Sequence, residues 1–421
     1  MIQAVNTSKT MSDNLVKIKM QNPIVEMDGD EMARVVWAQI KEALIMPFVD
    51  MNTEYFDLSV TERDRTNNEV SVLAGEAVRK HFVGVKCPTI SPTPERIEEY
   101  KLSGNAKSPN GVIRNMLGGV LFRKPICAPS IRPIVSTWQE PITIVRHIYG
   151  DVYRNIELTA EKGDICEIAL IRPGSETFTK TIYDFPDSGG IVQAVHNTDE
   201  SIIAFARCCM AFAIDEGQDL WFGAKDTVSK IYDRRFFDIF DQIFKDEYKS
   251  RFEAEGIIYR KMLIDDAAAQ ALRSKGGFVW ACKNYDGDVM SDIVAAGFGS
   301  SAMMTSFLVS PDGQYLYETA HGTVRHHYYK HLKGERVSTN PAGMIFAWSN
   351  ALCKRGEIDG SKELVTFADV LAEAVIKTIE DGILTDDLYH RSDRTEKAAV
   401  DTQVFISETA GRVHELLEPG T

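Results

Sequence analysis

A strand, a turn and a helix make the first pattern of apolar and polar positions along the chain. Residues 16–20 alternate apolar and basic side chains, and residues 24–27 add a second, mostly apolar run. After a turn at Asp28, Gly29 and Asp30, apolar residues recur every four positions from Met32 to Leu44. This spacing predicts an amphipathic helix that is capped by the aspartates and ends near residue 47.

Similar units follow along the chain. Helical spacing is found over residues 74–81, 201–214, 236–252, 267–274, 367–381 and 402–417. Apolar runs typical of strands cover residues 83–90, 219–224 and 257–264. Alternating strands and helices of this length predict an α/β fold.

One stretch breaks the alternation. Residues 151–197 lack helical spacing, and their β-branched and alternating runs, clearest over residues 165–171 and 177–182, are separated by glycine and proline turns. This composition is typical of strands. We therefore expect an inserted all-β segment.

Length and charge narrow the function classes. With 421 residues, the chain exceeds what one hydrophobic core usually serves, so we expect two or three structural units. Lys and Arg number 47 against 61 Asp and Glu, a net charge of -14, which argues against nucleic acid or anionic membranes as partners. An anion would have to be bound by a local group of arginines.

The cysteines and the apolar runs suggest a location. The seven cysteines show no CxxC spacing, which indicates buried thiols in a reducing compartment. No apolar run approaches the roughly 20 residues of a membrane span, and residues 1–14 lack the apolar centre of a signal peptide. We expect a cytoplasmic protein, for which Met11 is an alternative start.

Glycine fingerprints for nucleotides are absent or out of context. Gly297, Gly299 and Ala302 match GxGxxA, but the residues before them have helical rather than strand character. No P-loop pattern occurs. A dinucleotide would therefore bind without the common Rossmann site.

Carboxylates cluster in two places. Asp288 and Asp292 are four residues apart, so on a helix they share one face and can reach one divalent ion. Asp265 and Asp266 lie where a predicted strand becomes a helix. Helix capping is the alternative, although it needs only one carboxylate per helix start. Without Cys or His at ligand spacing, Mg²⁺ or Mn²⁺ suits these groups better than zinc.

Three arginines lie in another, largely apolar region. Arg114 and Arg123 follow Ser108 and Asn110, and Arg146 ends an apolar run. Guanidinium groups near strand ends suit a substrate with several carboxylates, since each can grip one of them bidentately. The alternative for any single arginine is a solvated surface position.

A third motif combines glycine with cationic side chains. It reads His321, Gly322, Thr323, Val324, Arg325, His326 and His327, and Ser338, Thr339, Asn340 and Pro341 follow it. Glycine lets the backbone approach a phosphate, to which threonine and arginine can add a hydroxyl and a charge. Packed or surface imidazoles are the alternative for the histidines.

Together these motifs resemble the homodimeric NADP-dependent isocitrate dehydrogenases of the isocitrate/isopropylmalate dehydrogenase superfamily. The resemblance runs from about Asn22 to the last helices, and Gly84 to Cys87 and Lys107 to Gly111 are among its most specific pieces. It implies an α/β fold without the common Rossmann fingerprint. A large domain would comprise residues 1–117 and 299–421, a small domain residues 118–150 and 199–298, and a β-rich clasp residues 151–198.

The resemblance also implies roles for single residues. The isocitrate carboxylates would be held by Ser91, Ser108, Asn110, Arg114, Arg123 and Arg146. The acid/base pair would be Tyr153 and Lys225, and the metal ligands Asp288, Asp292 and Asp265 of the partner subunit. The cofactor would be bound by Lys86, Thr89, Ser91, Arg96, Asn340, the motif of residues 322–327, and Gln270 and Arg273 from the other chain.

The implied reaction oxidises and decarboxylates isocitrate to 2-oxoglutarate and CO₂. Lys225 would take the proton of the substrate hydroxyl while hydride passes to the nicotinamide. After CO₂ leaves, Tyr153 would protonate the carbon, and a divalent metal would stabilise the developing charge.

The chain departs from the family pattern at three places. Ser91 stands where many relatives carry threonine, and Arg273 where lysine is common. Arg325 precedes two histidines, whereas the familiar pattern has arginine directly before the last histidine. Binding of the cofactor's 2'-phosphate therefore depends on Arg273, Arg325 and His327; we expect NADP, with NAD as the alternative.

Two further alternatives stay open on the sequence. A related dehydrogenase of 3-isopropylmalate or tartrate would share the metal aspartates and the Lys/Tyr pair but would not need Ser108, Asn110 and Arg114. A non-catalytic paralogue would act as a binding or scaffold protein, although no predicted catalytic or metal position is lost.

Overall fold

A computed structural model describes residues 16–104 and 107–417 of the chain. The expectations for residues 1–14 and for Met11 as a start lie outside these ranges. The strands are β1 (Ile18–Lys19), β2 (Ile24–Asp28), β3 (Val49–Asp50), β4 (Thr53–Asp57), β5 (Val83–Lys86), β6 (Val120–Pro125), β7 (Ile142–His147), β8 (Ile156–Ala160), β9 (Ile165–Leu170), β10 (Phe178–Asp184), β11 (Gly190–Ala194), β12 (Asp219–Ala224), β13 (Tyr259–Leu263), β14 (Phe278–Cys282), β15 (Met304–Val309), β16 (Tyr315–Thr319), β17 (Ile383–Leu384) and β18 (Ala398–Ala399).

Helices alternate with these strands over most of the chain. They are α1 (Glu31–Ile40), α2 (Val60–Arg65), α3 (Glu69–His81), α4 (Pro94–Tyr100), α5 (Pro109–Leu117), α6 (Asp199–Glu216), α7 (Tyr232–Ile243), α8 (Lys249–Glu255), α9 (Ile264–Arg273), α10 (Asn284–Phe298), α11 (Arg325–Leu332), α12 (Ala342–Asp359), α13 (Lys362–Glu380), α14 (Asp386–Tyr389) and α15 (Thr402–Leu417). The predicted α/β fold is confirmed.

One ten-stranded sheet organises the molecule, in the order β13-β12-β14-β7-β6-β15-β16-β5-β2-β4. The four strands from β13 to β7 are parallel, as are the four from β16 to β4. Between them, β6 and β15 pair antiparallel with each other and with their outer neighbours. The sheet thus has two parallel halves that meet at an antiparallel centre.

Helices cover both halves with apolar side chains. In one half, α1, α12, α13 and α15 contribute to a core that includes Trp37 and Trp348, whose ring centroids are 5.1 Å apart. In the other half, α6 and α7 pack Phe205, Phe236 and Phe240 against β12. Burial of these faces supplies the main driving force for folding.

The inserted β segment was predicted correctly. β8 pairs only with β11, and β9 only with β10, so neither pair joins the ten-stranded sheet. Many of its apolar side chains are exposed, including Ile165, Phe178 and Ile191. We call residues 151–198 the β insertion.

Most predicted elements are confirmed, with shifted ends. The helix predicted over residues 236–252 is divided into α7, a π-helical turn at Phe244–Tyr248, and α8. The strand predicted over residues 83–90 ends at Lys86. The expected cap of α1 is wrong in detail: Asp30 occupies the N-cap position, but its carboxylate makes no capping hydrogen bond.

Within the described residues, no helix is both long and apolar enough to cross a bilayer. All seven cysteines are free thiols. Cys87, Cys209 and Cys282 are buried as expected, whereas Cys127 is exposed.

Candidate active site

A row of polar side chains crosses the centre of the sheet. Arg123 on β6 is directly opposite Ser306 on β15, which is opposite Glu318 on β16, which is opposite Lys86 on β5. Residues in direct cross-strand register project to the same face. All four are buried, so this face carries charge inside the protein rather than apolar packing.

The charges of this row are balanced by neighbours. Glu318 accepts hydrogen bonds from Arg114 and Ser306. Burial disfavours the ionised Glu318 carboxylate, but Arg114 and Lys86 outweigh it and lower its pKa. Burial also lowers the pKa of Lys86 to about 8. This lysine therefore titrates close to neutral pH.

A cavity of about 420 Å³ lies next to Arg114, the residue that pairs with Glu318 of this row. It is lined by five of the six predicted substrate residues, Ser91, Ser108, Asn110, Arg114 and Arg146, and by Tyr153, Asn284 and Asp288. The sixth, Arg123, lines an adjoining cavity of about 200 Å³, and Ser91, Asn110 and Arg114 border both. The structure thus brings these side chains, separated by up to 197 positions in the sequence, around one continuous space.

Arg146 is the most buried arginine of this wall. It donates to the Asn284 side chain over 2.9 Å and to Asp288, and its guanidinium lies 4.7 Å from the ring centroid of Tyr153. Burial lowers its pKa, although Asp288 opposes that effect. We call Arg114, Arg123 and Arg146 the arginine group.

Asp288 and Asp292 are on the same face of α10, as their spacing predicts. Asp288 contacts Arg146 and Tyr153, and Asp292 accepts a hydrogen bond of 2.9 Å from Arg123. Helix capping does not explain them, since Lys283 is the N-cap residue of α10. Both carboxylates are therefore directed at the arginine group.

Tyr153 donates its hydroxyl to Asp288. Burial and this hydrogen bond raise the pKa of Tyr153 to about 12, although Arg146 opposes the shift. The phenol is protonated at neutral pH and can act as a proton donor.

The donor set suits a divalent cation in part. Asp288 and Asp292 offer hard carboxylate oxygens, the ligands that Mg²⁺ and Mn²⁺ prefer. Among the residues that the structure describes, however, no three His, Cys, Asp or Glu side chains are grouped closely enough to hold a metal. Asp288 and Asp292 by themselves thus offer too few carboxylates for a cation site within one chain.

Comparison with known proteins assigns the chain to a family. The family model described as isocitrate/isopropylmalate dehydrogenase matches residues 19–408. The chain belongs to the isocitrate/isopropylmalate dehydrogenase family. The predicted resemblance and fold are thereby confirmed.

Individual relatives cover most of the chain. It is 46% identical over 409 residues to a mitochondrial NADP isocitrate dehydrogenase of Aspergillus niger. The matched residues make up 96% of this chain and 82% of the relative. The chain is 48% identical over 374 residues to the enzyme of the same name from Sus scrofa. These residues make up 88% of this chain and 89% of the relative. It is 46% identical over 406 residues to that from Saccharomyces cerevisiae, and these residues make up 95% of this chain and 94% of the relative.

These relatives contradict one prediction. All three are named as mitochondrial enzymes, so the prediction of a cytoplasmic protein is wrong. Unpaired cysteines distinguish a reducing from an oxidising compartment, but they do not distinguish one reducing compartment from another.

Apart from Gln270 and Arg273, the predicted cofactor residues of this family member fall into two sets. Lys86, Thr89, Ser91 and Gly322 line the smaller cavity, where the Lys86 ammonium donates to the carbonyl of Cys87 over 3.1 Å. The other set lies outside that lining and comprises Arg96, Thr323, Val324, Arg325, His326, His327 and Asn340.

Two carboxylates, Glu31 and Glu99, contact three of the seven residues of the second set. Glu31 binds both terminal nitrogens of Arg96, at 2.8 and 3.1 Å, and also accepts from Thr323. Glu99 contacts Arg96 at 3.0 Å and Arg325 at 2.9 Å. Arg96 and Arg325 thus share the carboxylate of Glu99.

Two of the remaining members of that set, His327 and Asn340, have side-chain hydrogen bonds of their own. His327 contacts the Thr339 hydroxyl at 2.8 Å, and Asn340 donates to Asp387 over 3.0 Å. Val324 has a left-handed backbone with φ of 57° at the start of α11, and His326 is exposed.

A separate group holds the other predicted residues. Lys225 contacts Asp265 at 2.6 Å, and Gln270 donates to the neighbouring Asp266 over 3.0 Å. Gln270 and the exposed Arg273 continue along α9. We call Lys225, Asp265, Gln270 and Arg273 the outer group, because none of them lines either of the two site cavities.

The predicted acid/base pair is therefore not brought together within one chain. Tyr153 faces Asp288, whereas Lys225 faces Asp265. The backbone N–H of Lys225 donates to the buried Asp233 over 2.6 Å, which holds the lysine on the outer side.

Three site residues had no role in the sequence-based prediction. Glu318 balances Arg114, Asn284 orients Arg146, and Ser291 accepts from Arg123 over 2.8 Å. A carboxylate inside the apolar run of β16 was a detectable signal for Glu318, because buried charges are rarely unpaired. Asn284 and Ser291 carried no such signal.

Proposed function

We propose that this chain oxidises and decarboxylates isocitrate to 2-oxoglutarate and CO₂ with NADP as hydride acceptor. The observation that carries the proposal is the cavity of about 420 Å³ whose wall combines Arg114 and Arg146 with Ser108 and Asn110. Membership in the family and relatives named NADP isocitrate dehydrogenase support the choice of substrate and cofactor.

The arginine group is suited to a substrate with three carboxylates. Each guanidinium can bind one carboxylate with two parallel hydrogen bonds. The buried atoms Asn110 Oδ1, Arg114 Nε and Arg123 Nε find no hydrogen-bond partner among the described residues. Such atoms are uncommon in native proteins, and polar groups of a bound substrate would satisfy them.

In this conformation the site's charges are paired with one another. Arg146 contacts Asp288, Arg123 contacts Asp292, and Arg114 contacts Glu318. The substrate carboxylates would replace the aspartates at Arg146 and Arg123. This exchange would release the Asp288 and Asp292 carboxylates for a cation, so that substrate and cation binding would favour each other.

The cation would be held by Asp288 and Asp292 of one chain and Asp265 of the partner subunit. Mg²⁺ or Mn²⁺ bound there would supply Lewis acidity for the substrate hydroxyl and for charge that develops during decarboxylation. Asp265 is well exposed, with 64% of its side chain accessible, and can therefore reach a second chain.

The outer group would complete the site of a partner subunit. Lys225 lies with Asp265, so we assign both to the same neighbouring site, where Lys225 would accept the hydroxyl proton. Tyr153 would return a proton to carbon from within its own chain. Gln270 and Arg273, on the same helix as Asp265, would approach the cofactor of that partner.

A homodimer follows from this assignment. The β insertion exposes Ile156, Ile165, Phe178 and Ile191 by more than half, which is a large apolar area for a surface. We propose that it forms the clasp between two subunits. The division into large domain, small domain and clasp given above is retained as part of the proposal.

The 2'-phosphate of NADP would be bound by Arg325, His327 and Arg273 of the partner subunit. Arg325 would then have to exchange its contact with Glu99 for the phosphate. Because phosphate carries more charge than the ribose hydroxyl of NAD, this exchange favours NADP.

The decisive assay measures reduction of the nicotinamide by absorbance. Purified protein with isocitrate and Mg²⁺ should reduce NADP with a higher kcat/KM than NAD, and chelation of the metal should abolish the rate. 3-Isopropylmalate and tartrate serve as competing substrates. Faster turnover of 3-isopropylmalate or tartrate than of isocitrate would contradict the proposal. Turnover of none of the three acids would also contradict it and would favour a non-catalytic binding protein.

A further inference from the structure

Arg63 is a fully buried arginine outside both site cavities. Its side chain on α2 has no accessible surface. It donates to three backbone carbonyls: to Leu58 over 2.8 Å, to Ile90 over 2.7 Å and to Lys107 over 2.6 Å. These acceptors lie on three separate segments of chain, so a single guanidinium fork joins them.

Asp30 completes this junction. Its carboxylate lies 3.5 Å from Arg63 and accepts backbone N–H groups from Val60 and Ile90, each over 2.8 Å. This is the carboxylate that the sequence pattern assigned to the cap of α1. Ile90 is thereby held from both sides, its N–H by Asp30 and its carbonyl by Arg63.

The segments joined in this way carry two side chains of the larger cavity. Ile90 immediately precedes Ser91, and Lys107 immediately precedes Ser108. Both serines line the cavity with Arg114 and Arg146. Ile90, Ser91 and Lys107 lie outside the strands and helices, and Ser108 is the N-cap residue of α5.

We propose that Asp30 and Arg63 are positioning residues that set the separation of Ser91 and Ser108 and thereby the affinity for the substrate. The inference rests on the proposed function for the identity of that substrate, isocitrate. A displacement of about 1 Å in a binding group can reduce binding and turnover by one to two orders of magnitude. A hydroxyl can bond a substrate oxygen only within a narrow range of distance.

The chain offers a matched control for a purely structural role. Arg355 on α12 is also buried, with 4% of its side chain accessible. It pairs with Asp359 at 2.6 Å and donates to the carbonyl of His81 over 2.8 Å. Arg355 does not line either site cavity, so its replacement should reduce stability without moving Ser91 or Ser108.

The test compares Arg63→Lys with Arg355→Lys in the full chain. Lysine keeps the positive charge beside the aspartate but cannot donate to three carbonyls in a fixed fork. We expect Arg63→Lys to raise the Kd for isocitrate, measured by calorimetry with Mg²⁺, by about tenfold. Arg355→Lys should leave this Kd within about twofold of the parent chain.

Hydrogen exchange provides a readout that does not depend on activity. In Arg63→Lys, peptides covering residues 88–93 and 107–112 should exchange faster than in the parent chain, whereas Arg355→Lys should not change them. Should Arg63→Lys fail to fold, Asp30→Asn replaces it. That variant keeps one carbonyl oxygen for one of the two amides, and the same two peptides and the same Kd are measured.

The outcomes separate the two proposals. Unchanged exchange in both peptides, or an unchanged Kd for isocitrate in a folded Arg63→Lys, overturns the positioning role. Equal effects of Arg63→Lys and Arg355→Lys on the Kd also overturn it, since the role would then be general stability. If the parent chain does not turn over isocitrate, the proposed function fails, and the exchange rates alone decide whether Arg63 positions the two segments.

Discussion

The arginine group and the outer group are both rich in charge, but their surroundings differ. Arg146 has only 5% of its side chain accessible, and its partner Asp288 is 142 positions away in the sequence. Lys225 has 37% of its side chain accessible, and its partner Asp265 is 64% accessible. The first group is enclosed by its own chain, whereas the second faces outward.

This difference indicates which part of the site one chain can build alone. A buried guanidinium requires partners on every side, and β6, β7 and α10 supply them around the arginine group. The exposed Lys225–Asp265 pair contributes little to stability where it is, because solvent screens it. Its residues are consistent with a function toward a second molecule of the same chain.

The largest expected loss of activity comes from a change in the arginine group. Arg146→Ala removes a guanidinium from the substrate wall and takes one hydrogen-bond donor away from each of Asn284 and Asp288. We expect kcat/KM for isocitrate to fall about 1,000-fold. Arg234→Ala is the control, because exposed Arg234 also pairs with an aspartate, Asp226, but lies outside both cavities. A loss below tenfold in Arg146→Ala would place the substrate elsewhere.

The outer group is tested with Lys225→Met. We expect kcat to fall about 100-fold while the KM for isocitrate changes little, since a proton acceptor acts on the chemical step. Lys261→Met is a close control: Lys261 also has 37% of its side chain accessible and pairs with Asp241 at 2.7 Å. Equal losses in both variants would remove Lys225 from the reaction.

Subunit exchange sharpens the contrast between the groups. A dimer of one Arg146→Ala chain and one Lys225→Met chain would have one doubly defective site and one intact site if the sites are shared. Mixing the two inactive variants under conditions of exchange should therefore restore about a quarter of the parent activity. No recovery, in a mixture whose heterodimers are verified by native mass spectrometry, means that each site is built by a single chain.

The stability of the folded protein should also depend on pH through a histidine next to the arginine group. His147 next to Arg146 is buried, and burial lowers its pKa to about 3. The unfolded chain takes up this proton near a pKa of about 6.5, so the folded state loses about 2 kcal/mol between about pH 6.5 and about pH 5.

Denaturant unfolding at these two pH values measures that loss. His147→Asn should remove this part of the pH dependence, whereas replacement of the exposed His390 by Asn should not. An unaltered slope in His147→Asn would mean that the imidazole is solvated in the folded protein.

The smallest expected effect concerns the cofactor. Arg325→Ala and Arg273→Ala should each raise the KM for NADP about tenfold and that for NAD less than about twofold, because only NADP carries the 2'-phosphate. Steady-state kinetics with both cofactors measure this. Losses of equal size for NADP and NAD would show that the 2'-phosphate is bound by other residues.

Local patterns were sufficient for much of the fold. The helix at residues 402–417 and the strand at residues 219–224 have the predicted bounds, because the helix keeps helical spacing over its length and the strand is one short apolar run. The helix predicted over residues 236–252 was interrupted by a π-helical turn, which its apolar spacing did not reveal. The strand after α3 was predicted too long, since apolar character continues to Ile90 but its pairing does not.

Of the candidate site, the sequence could predict the residue types but only part of their arrangement. Asp288 and Asp292 share a helix face because their separation equals about one turn. The pairing of Arg123 with Asp292 spans 169 positions and depends on how α10 lies against β6. The use of Asp30 to hold Ile90 instead of capping α1 likewise depends on a neighbour 60 positions away.

The sequence alone therefore determined the order of strands and helices, the spacing of Asp288 and Asp292 and the family to which the chain belongs. The tertiary structure decided which guanidinium faces which carboxylate, and that Lys225 is apart from Tyr153. The physical reason is the distance along the chain over which each kind of information acts. Periodicity and spacing act within a few turns of chain, whereas a contact between distant segments is set by strand order, register and burial.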